Sequence, residues 1–377
     1  MTDAPFILNL LAERRNVLLS GPPGTGKSLL LSRVAALFEA AAGAAPPTLA
    51  PTGQVPIPRR AQAGAGLPIP MRVTNRKVFR SVLHQSSKYR DFLTGVMPNL
   101  LPGSPPGSFR VTEGILYQAS QYAQKADHAA LLIVDEINRG PAVQVFGGAI
   151  VAIEGEKRLA DDGTFRRETQ YFDLLDPATG DMKPYAFPSR LYILGAMNQA
   201  DVSVEPLDVA FLRRWAPVLL EPSASTLRDH FSLGPAAAAV LPATPVTVAE
   251  VYEAAVQAFE AVNERIALGR GPEFRIGHGV LMMPSGTPPT GLPEALRHLA
   301  TAWTLVRTHV EEAFFGDVRG TAIVLNAGQG VAGHPLDLEE RTFGDSPRAV
   351  LTGPRVSEPD GIYEMLRAVA QKAANNP

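Results

Sequence analysis

The 377 residues are enough for two or three compact domains. A formal net charge of −2 leaves no overall basic footprint for nucleic acid, and the absence of cysteine excludes disulfides, thiolate nucleophiles and Cys-ligated metals. No run reaches the ~18 apolar residues of a membrane span. The opening MTDAPFILNLLAE places an acid, and no basic region, before a short apolar run, unlike a signal peptide. A cytoplasmic protein with no membrane attachment is expected.

In chain order, residues 5–13 read as a short helix and Asn16–Ser20 as a buried strand ending in a Gly-rich turn. A helix runs from Lys27 to about Ala42. Residues 43–70, rich in Pro, Gly and Ala, look like a surface insertion. Val78–Leu83 is a second strand, 95–110 another Pro/Gly-rich stretch, and Ile115–Ala126 a helix. Ala129–Val134 is an apolar run of the kind found in a parallel sheet covered on both faces. A helix is expected over Pro141–Glu154, with Pro in its first turn. A hairpin is expected around Thr164–Leu174, then a fourth strand over Arg190–Ala196, a helix over 206–214 and a fifth strand over Trp215–Leu220. Strands alternating with helices imply an α/β fold with a parallel five-stranded sheet. After Pro222 the helical stretches 223–233, 247–268 and 291–315 have no strands between them, which implies an all-α lid. The remainder is Gly/Pro-punctuated, with one helix near 360–373. The expected domains are 1–221 (insertions at about 43–75, 95–112 and 156–188), a lid over 222–317 and an extension over 318–377.

GPPGTGKS, residues 21–28, fits the phosphate-loop pattern G-x-x-x-x-G-K-[ST]. Gly21, Gly24 and Gly26 let the backbone curl so that N–H groups point inward at phosphate oxygens, with Pro22, Pro23 and Thr25 completing the loop. The helix beginning at Lys27 adds its positive end. Lys27 is expected to reach the β/γ-phosphates and Ser28 to ligate Mg²⁺. A chance Gly/Pro turn is the competing reading, and the strand before and helix after speak against it. LLIVDE, 131–136, is an apolar strand ending in two carboxylates. Beside a phosphate loop, Asp135 would hold the water shell of Mg²⁺ and Glu136 would accept a proton from the attacking water. Without the loop, such a pair would read as a helix cap. GAMNQAD, 195–201, puts Asn198 at the tip of the fourth strand, where it could donate to that water or to the γ-phosphate. Arg213 and Arg214 end a helix before the fifth strand. They read equally as an arginine finger acting on a neighbouring subunit's nucleotide or as cations favoured at a helix C-terminus.

Several stretches together resemble the McrB family, NTPase subunits of modification-dependent (type IV) restriction systems within the MoxR/McrB branch of AAA+. They are the phosphate loop with DEINRG (135–140), LGAMNQADVSVEPLDVAFLRRW (194–215), HQSSKYRDFLTGVMP (84–98), FRIGHGVLMM (274–283) and EEAFFGD (311–317). The resemblance implies a P-loop AAA+ core with a helical lid and a hairpin inserted after 84–98. It also implies sensor roles for Asn198 and Asp201 and trans-acting roles for Arg213 and Arg214. Its implied partners are a homo-oligomer, expected as a hexamer, and a McrC-like nuclease subunit, with DNA engaged through that complex. The sequence departs from the family pattern at Gln199, where Thr is usual, at Val202, where Arg is usual, and at His278-Gly279-Val280, which replaces His-Ser-Tyr. The core begins within the first residues, so reading of modified bases is expected to lie outside this chain. The resemblance implies GTP, the AAA+ norm is ATP, and no residue selects the base. The leading expectation is a ring-forming ATP or GTP hydrolase driving an endonuclease against foreign DNA. A MoxR-type ATPase remodelling protein partners is the alternative, and a nucleotide-gated scaffold is a third reading, opposed by the intact Asp135–Glu136 pair.

Overall fold

The computed structural model describes residues 3–40, 67–200 other than 101 and 104, and 207–371 other than 237–239, 284–285, 329–330, 332, 355–358 and 360. Asp201 and residues 41–66, which hold most of the expected first insertion, lie outside them. The described residues form two compact units, one of 3–21, 27–40 and 67–220, the other of 22–26 and 221–371.

The first unit runs α1 (Ala4–Arg14), β1 (Asn16–Gly21), α2 (Lys27–Glu39), β2 (Asn75–Val82), α3 (Tyr89–Phe92), β3 (Thr94–Pro98), β4 (Phe109–Glu113), α4 (Ile115–Gln124), β5 (His128–Asp135), α5 (Ala142–Phe146), β6 (Phe172–Leu175), β7 (Met182–Tyr185), β8 (Leu191–Asn198), α6 (Val209–Leu212) and β9 (Ala216–Leu219). Five strands pair in parallel in the order β2-β5-β8-β1-β9. The central strands β1, β5 and β8 bury both faces, and the period-2 geometry of a strand explains their apolar runs. Leu18, Leu132, Val134 and Ile193 face a cluster with Phe92, Phe146, Phe211 and Trp215. Their neighbours Val17, Leu19, Leu131, Ile133 and Leu194 face the opposite cluster with Ile7, Leu11, Val34 and Phe38. Leu67, Met71 and Val73 are buried in that second cluster, so the end of the expected surface insertion belongs to the core.

Two expected elements come out differently. The helix over Pro141–Glu154 survives only as α5, with a 3₁₀ turn after it over Gly147–Ile150. Gly147 ends the helix with φ of +49°, and a Cβ there would lie 2.7 Å from the Tyr89 ring, so the turn beside that ring needs glycine. The hairpin expected around Thr164–Leu174 forms instead as β6 and β7, which pair from Phe172↔Tyr185 to Leu175↔Met182. Phe172 and Tyr185 bury against Phe187, and that buried face sets the register. The Pro/Gly-rich stretch after Thr94 is the β3–β4 hairpin.

The second unit contains α7 (Ala224–His230), α8 (Val248–Gly269), α9 (Leu292–Ala313), α10 (Val318–Val324), the antiparallel pair β10 (Asp337–Phe343) and β11 (Ser346–Thr352), and α11 (Ile362–Ala370). Helix starts are set by local sequence. Ser223 caps α7, Thr247 and Glu250 form a reciprocal capping box on α8, and Asp317 caps α10. Phe259, Trp303, Leu325, Leu366 and Val369 share one core. Helices α10 and α11 therefore pack with the lid helices, although the Gly/Pro punctuation of their sequence does not announce it.

Candidate nucleotide site

The positions that would bind phosphate are set by β1 and the glycine-rich turn at its end. At Gly21 φ is +150°, and a Cβ would stand 2.2 Å from the Leu220 carbonyl oxygen, so only glycine lets β1 end there. Gly24 and Gly26 have φ of +78° and +88°. Thr25 Oγ1 donates to the Pro22 carbonyl at 2.9 Å and closes the turn. Lys27 opens α2, and its Nζ donates to the Gly21 carbonyl at 2.8 Å. Burial lowers the Lys27 ammonium to about 8, against the upward pull of Glu136 and Asp135. Ser28 is exposed.

The acids stand at the tip of β5. Asp135 Oδ1 accepts from the backbone N–H of Glu136 at 3.0 Å. Glu136 has φ of +51°, a left-handed conformation uncommon for a residue with a Cβ. The chain re-enters the core at once, because Ile137 is buried and its N–H donates to the Ala196 carbonyl at 2.9 Å. Strain of this kind persists only where the surroundings over-determine it, and it turns the Glu136 carboxylate toward β8. There Asn198 Nδ2 donates to Oε1 at 3.0 Å, and Arg139 Nε approaches Oε2 at 3.2 Å. Asn138 Nδ2 donates to the Asn198 carbonyl at 2.8 Å and ties the two strand tips together. The register carries this arrangement, since Asn198 lies opposite Gly21 on one side of β8 and Gly195 opposite Val134 on the other.

Lys27, Asp135, Glu136 and Asn198 thus converge at one end of the sheet. Arg213 and Arg214 do not join them. Arg213 is exposed, whereas Arg214 is buried, with Nε 3.0 Å from Glu154 Oε1. Among the described residues no three His, Asp or Glu gather into a metal site. Ser28 and Asp135 offer hard oxygen donors, which suits a Mg²⁺ ion that keeps waters and takes its remaining ligands from phosphate.

The model of the AAA domain (dynein-related subfamily) matches residues 70–215. Over 331 residues, 84% of this chain, the sequence is 29% identical to the type IV methyl-directed restriction enzyme EcoKMcrB subunit of Escherichia coli (strain K12). The chain is thus similar to McrB-type AAA+ proteins. A second relative, the type II restriction enzyme BsuMI component YdiS of Bacillus subtilis (strain 168), is 31% identical over 211 residues, 55% of this chain. The McrB-like chain spans 57% of the length of each of these relatives. A solved structure of C. elegans PCH-2 aligns over 71% of this chain and 62% of its own at 13% identity, with a TM-score of 0.30, too low a similarity to inform the fold further.

Two features of the McrB-like chain were not foreseen. In the second unit, the N–H groups of Gly277 and Gly279 donate to the carbonyls of Pro23 and Gly24 at 2.9 and 2.8 Å. Asn263 pins Ile276 through both main-chain groups, and His278 Nδ1 faces the Ser223 N–H at 3.3 Å. The IGHG stretch is therefore a backbone clasp on the loop. Its paired glycines were the available signal, since glycine marks close backbone approach. The second feature is the fully buried Arg158, which donates to the carbonyls of Ile153 and Leu191 and to Asn16 Oδ1. Asn16, polar at the head of an apolar strand, was its only trace in the sequence.

Proposed function

We propose that the chain hydrolyses ATP or GTP as the ring-forming motor subunit of a restriction system, working with a McrC-like endonuclease. The observation that carries this reading is the meeting of Lys27, Asp135, Glu136 and Asn198 at the tips of β1, β5 and β8. Gly21, Gly24 and Gly26 leave room for phosphate, and the N–H groups of the loop with the start of α2 supply its positive surroundings. Lys27 neutralises the β/γ-phosphates. Ser28 and Asp135 would hold a Mg²⁺, which would supply charge neutralisation at the phosphate oxygens. Glu136 takes a proton from the attacking water as its oxygen bonds to the γ-phosphorus and the bond to the β-bridging oxygen breaks. Asn198 orients Glu136 for that transfer. Exposed Arg213 supplies a guanidinium to a neighbouring copy's γ-phosphate, which supports a ring, expected as a hexamer. The relatives are named as restriction-system components, which supports the same biological setting here, with DNA met through the complex.

The test is turnover by the purified chain with Mg²⁺ and either nucleotide, alone and with a McrC-like nuclease. Hydrolysis that rises with the nuclease, and nuclease action that stops with Lys27→Ala, is the expected result. Turnover unaffected by Lys27→Ala would overturn the site. Turnover with no nuclease bound or activated would overturn the restriction role and favour remodelling of other protein partners.

A further inference from the structure

Arg213 and Arg214 are adjacent in sequence and opposite in environment. α6 is a single turn, capped by Asp208, whose carboxylate accepts from the Ala210 N–H at 2.6 Å. Consecutive residues on such a turn diverge by roughly 100°, so a side chain directed inward at one position sends its neighbour outward. Arg214 is the inward one. Its guanidinium lies 3.0 Å from Glu154 and also donates to the Ala210 carbonyl. Its main chain is gripped as well, because the Arg214 carbonyl accepts from Asn16 Nδ2 at 3.1 Å. Asn16 is itself immobilised, donating to the Ile153 carbonyl at 2.8 Å and accepting from Arg158 Nη2 at 2.6 Å. Trp215, next in the chain, is buried among Phe146 and Phe211. Arg213 is left on the wall of an open cleft of about 950 Å³ that Glu154, Arg166 and Arg14 also line.

We propose that Glu154 is the positioning residue of Arg213: by holding Arg214 in the core it makes Arg214 an anchor and fixes the direction in which Arg213 leaves the protein. This rests on the reading of Arg213 as a finger for a neighbour's nucleotide. A guanidinium in an open cleft has no side-chain contact that aims it across an interface, so its aim must come from the backbone behind it. Asn16 holds that backbone through the Arg214 carbonyl, and Glu154 holds it through the Arg214 guanidinium. A misplacement of about 1 Å in such a group costs on the order of 10²-fold in rate. Arg214 cannot share the task, because reaching out would leave Glu154 half-buried without its partner.

The test is Glu154→Gln in the full chain, assayed for turnover alone and mixed with Lys27→Ala protein, whose own site is dead but whose arginines are intact. The expected result is a tenfold or greater fall in kcat at unchanged KM, recovered in part on mixing, with no further loss when Glu154→Gln is added to Arg213→Ala. A purely structural role would not be complemented by a second subunit. If Glu154→Gln does not fold, the double change Glu154→Leu with Arg214→Met removes both charges together, and the same fall and recovery are expected. Unchanged kcat in the folded variant overturns the anchor, and so does a fall that mixing fails to recover. The finger reading fails separately: Arg213→Ala would then leave kcat as it was.

Discussion

Asn198 donates from Nδ2 to the Glu136 carboxylate at 3.0 Å, while its own carbonyl accepts from Asn138 at 2.8 Å. The side chain that aims the base is thus held by the same loop that carries the base. Glu136→Gln is expected to bind nucleotide normally and to lose about 10²–10⁴-fold in kcat, because a carboxamide fills the space and cannot accept a proton. Asn198→Ala should cost less, roughly 10–100-fold, since Glu136 keeps its chemistry and loses its orientation. Single-turnover hydrolysis beside equilibrium binding separates the two effects. Turnover of Glu136→Gln within a few-fold of wild type would remove Glu136 as the base.

Lys27 gives the binding step a pH signature. Its ammonium stands at about 8 in the folded chain against an ordinary 10.5, lowered by burial. A triphosphate needs the cation, so binding above about pH 8 takes up a proton, and affinity is expected to fall by up to about tenfold per pH unit from there. Stability has the opposite slope. Between the two values the unfolded chain holds more protons, so this group's contribution rises with pH; below about 8 both states are protonated and its penalty is constant. Titration with a fluorescent nucleotide from about pH 7 to 10 reads the first effect. A flat affinity would show that the Lys27 ammonium keeps its proton through this range, so that burial does not lower it.

The clasp on the loop predicts a ranking of two glycines. A Cβ on Gly277 would lie 2.1 Å from the Gly24 carbonyl carbon, and one on Gly279 would lie 2.9 Å from the Gly24 oxygen. Gly277→Ala must push residues 276–279 off the loop, so nucleotide Kd should rise by about tenfold or more, while Gly279→Ala should raise it less. Wild-type Kd for Gly277→Ala would show that the loop binds phosphate without the clasp.

Arg158 offers a stability test remote from chemistry. Arg158→Met removes the Arg158 donor from Asn16 Oδ1 and the Leu191 carbonyl in a fully buried place, while the Ile153 carbonyl keeps Asn16 Nδ2. At roughly 1–3 kcal/mol for each unsatisfied group, a loss of about 2 kcal/mol or more is expected as a lower urea midpoint. A midpoint unchanged from wild type would mean the site refills with water.

Much of the site is written locally in the sequence. A phosphate loop needs its glycines and lysine in one short segment, and β5 needs an apolar run that stops at two acids, so both could be placed without knowing any contact. The break in the helix after Phe146 could not be, because the ring beside Gly147 is that of Tyr89, distant in sequence. The hairpin at Phe172–Tyr185 was displaced for the same kind of reason, its register being set by burial against Phe187. Arg213 and Arg214 are chemically identical in the sequence. Glu154 and Asn16, brought from other segments, make them different.

The strand order has a consequence for reach. β8 lies between β1 and β5, so the strand that leads into the loop and the strand that ends in the acids are separated by two inter-strand steps, about 9.6 Å. Adjacent strands would bring loop and base within a single step, about 4.8 Å, half the separation seen here. The intervening strand works as a spacer whose thickness is that of one peptide chain. A nucleotide can rest on one side of that gap while the water waits on the other, and Asn198, at the spacer's tip, is placed to sense both.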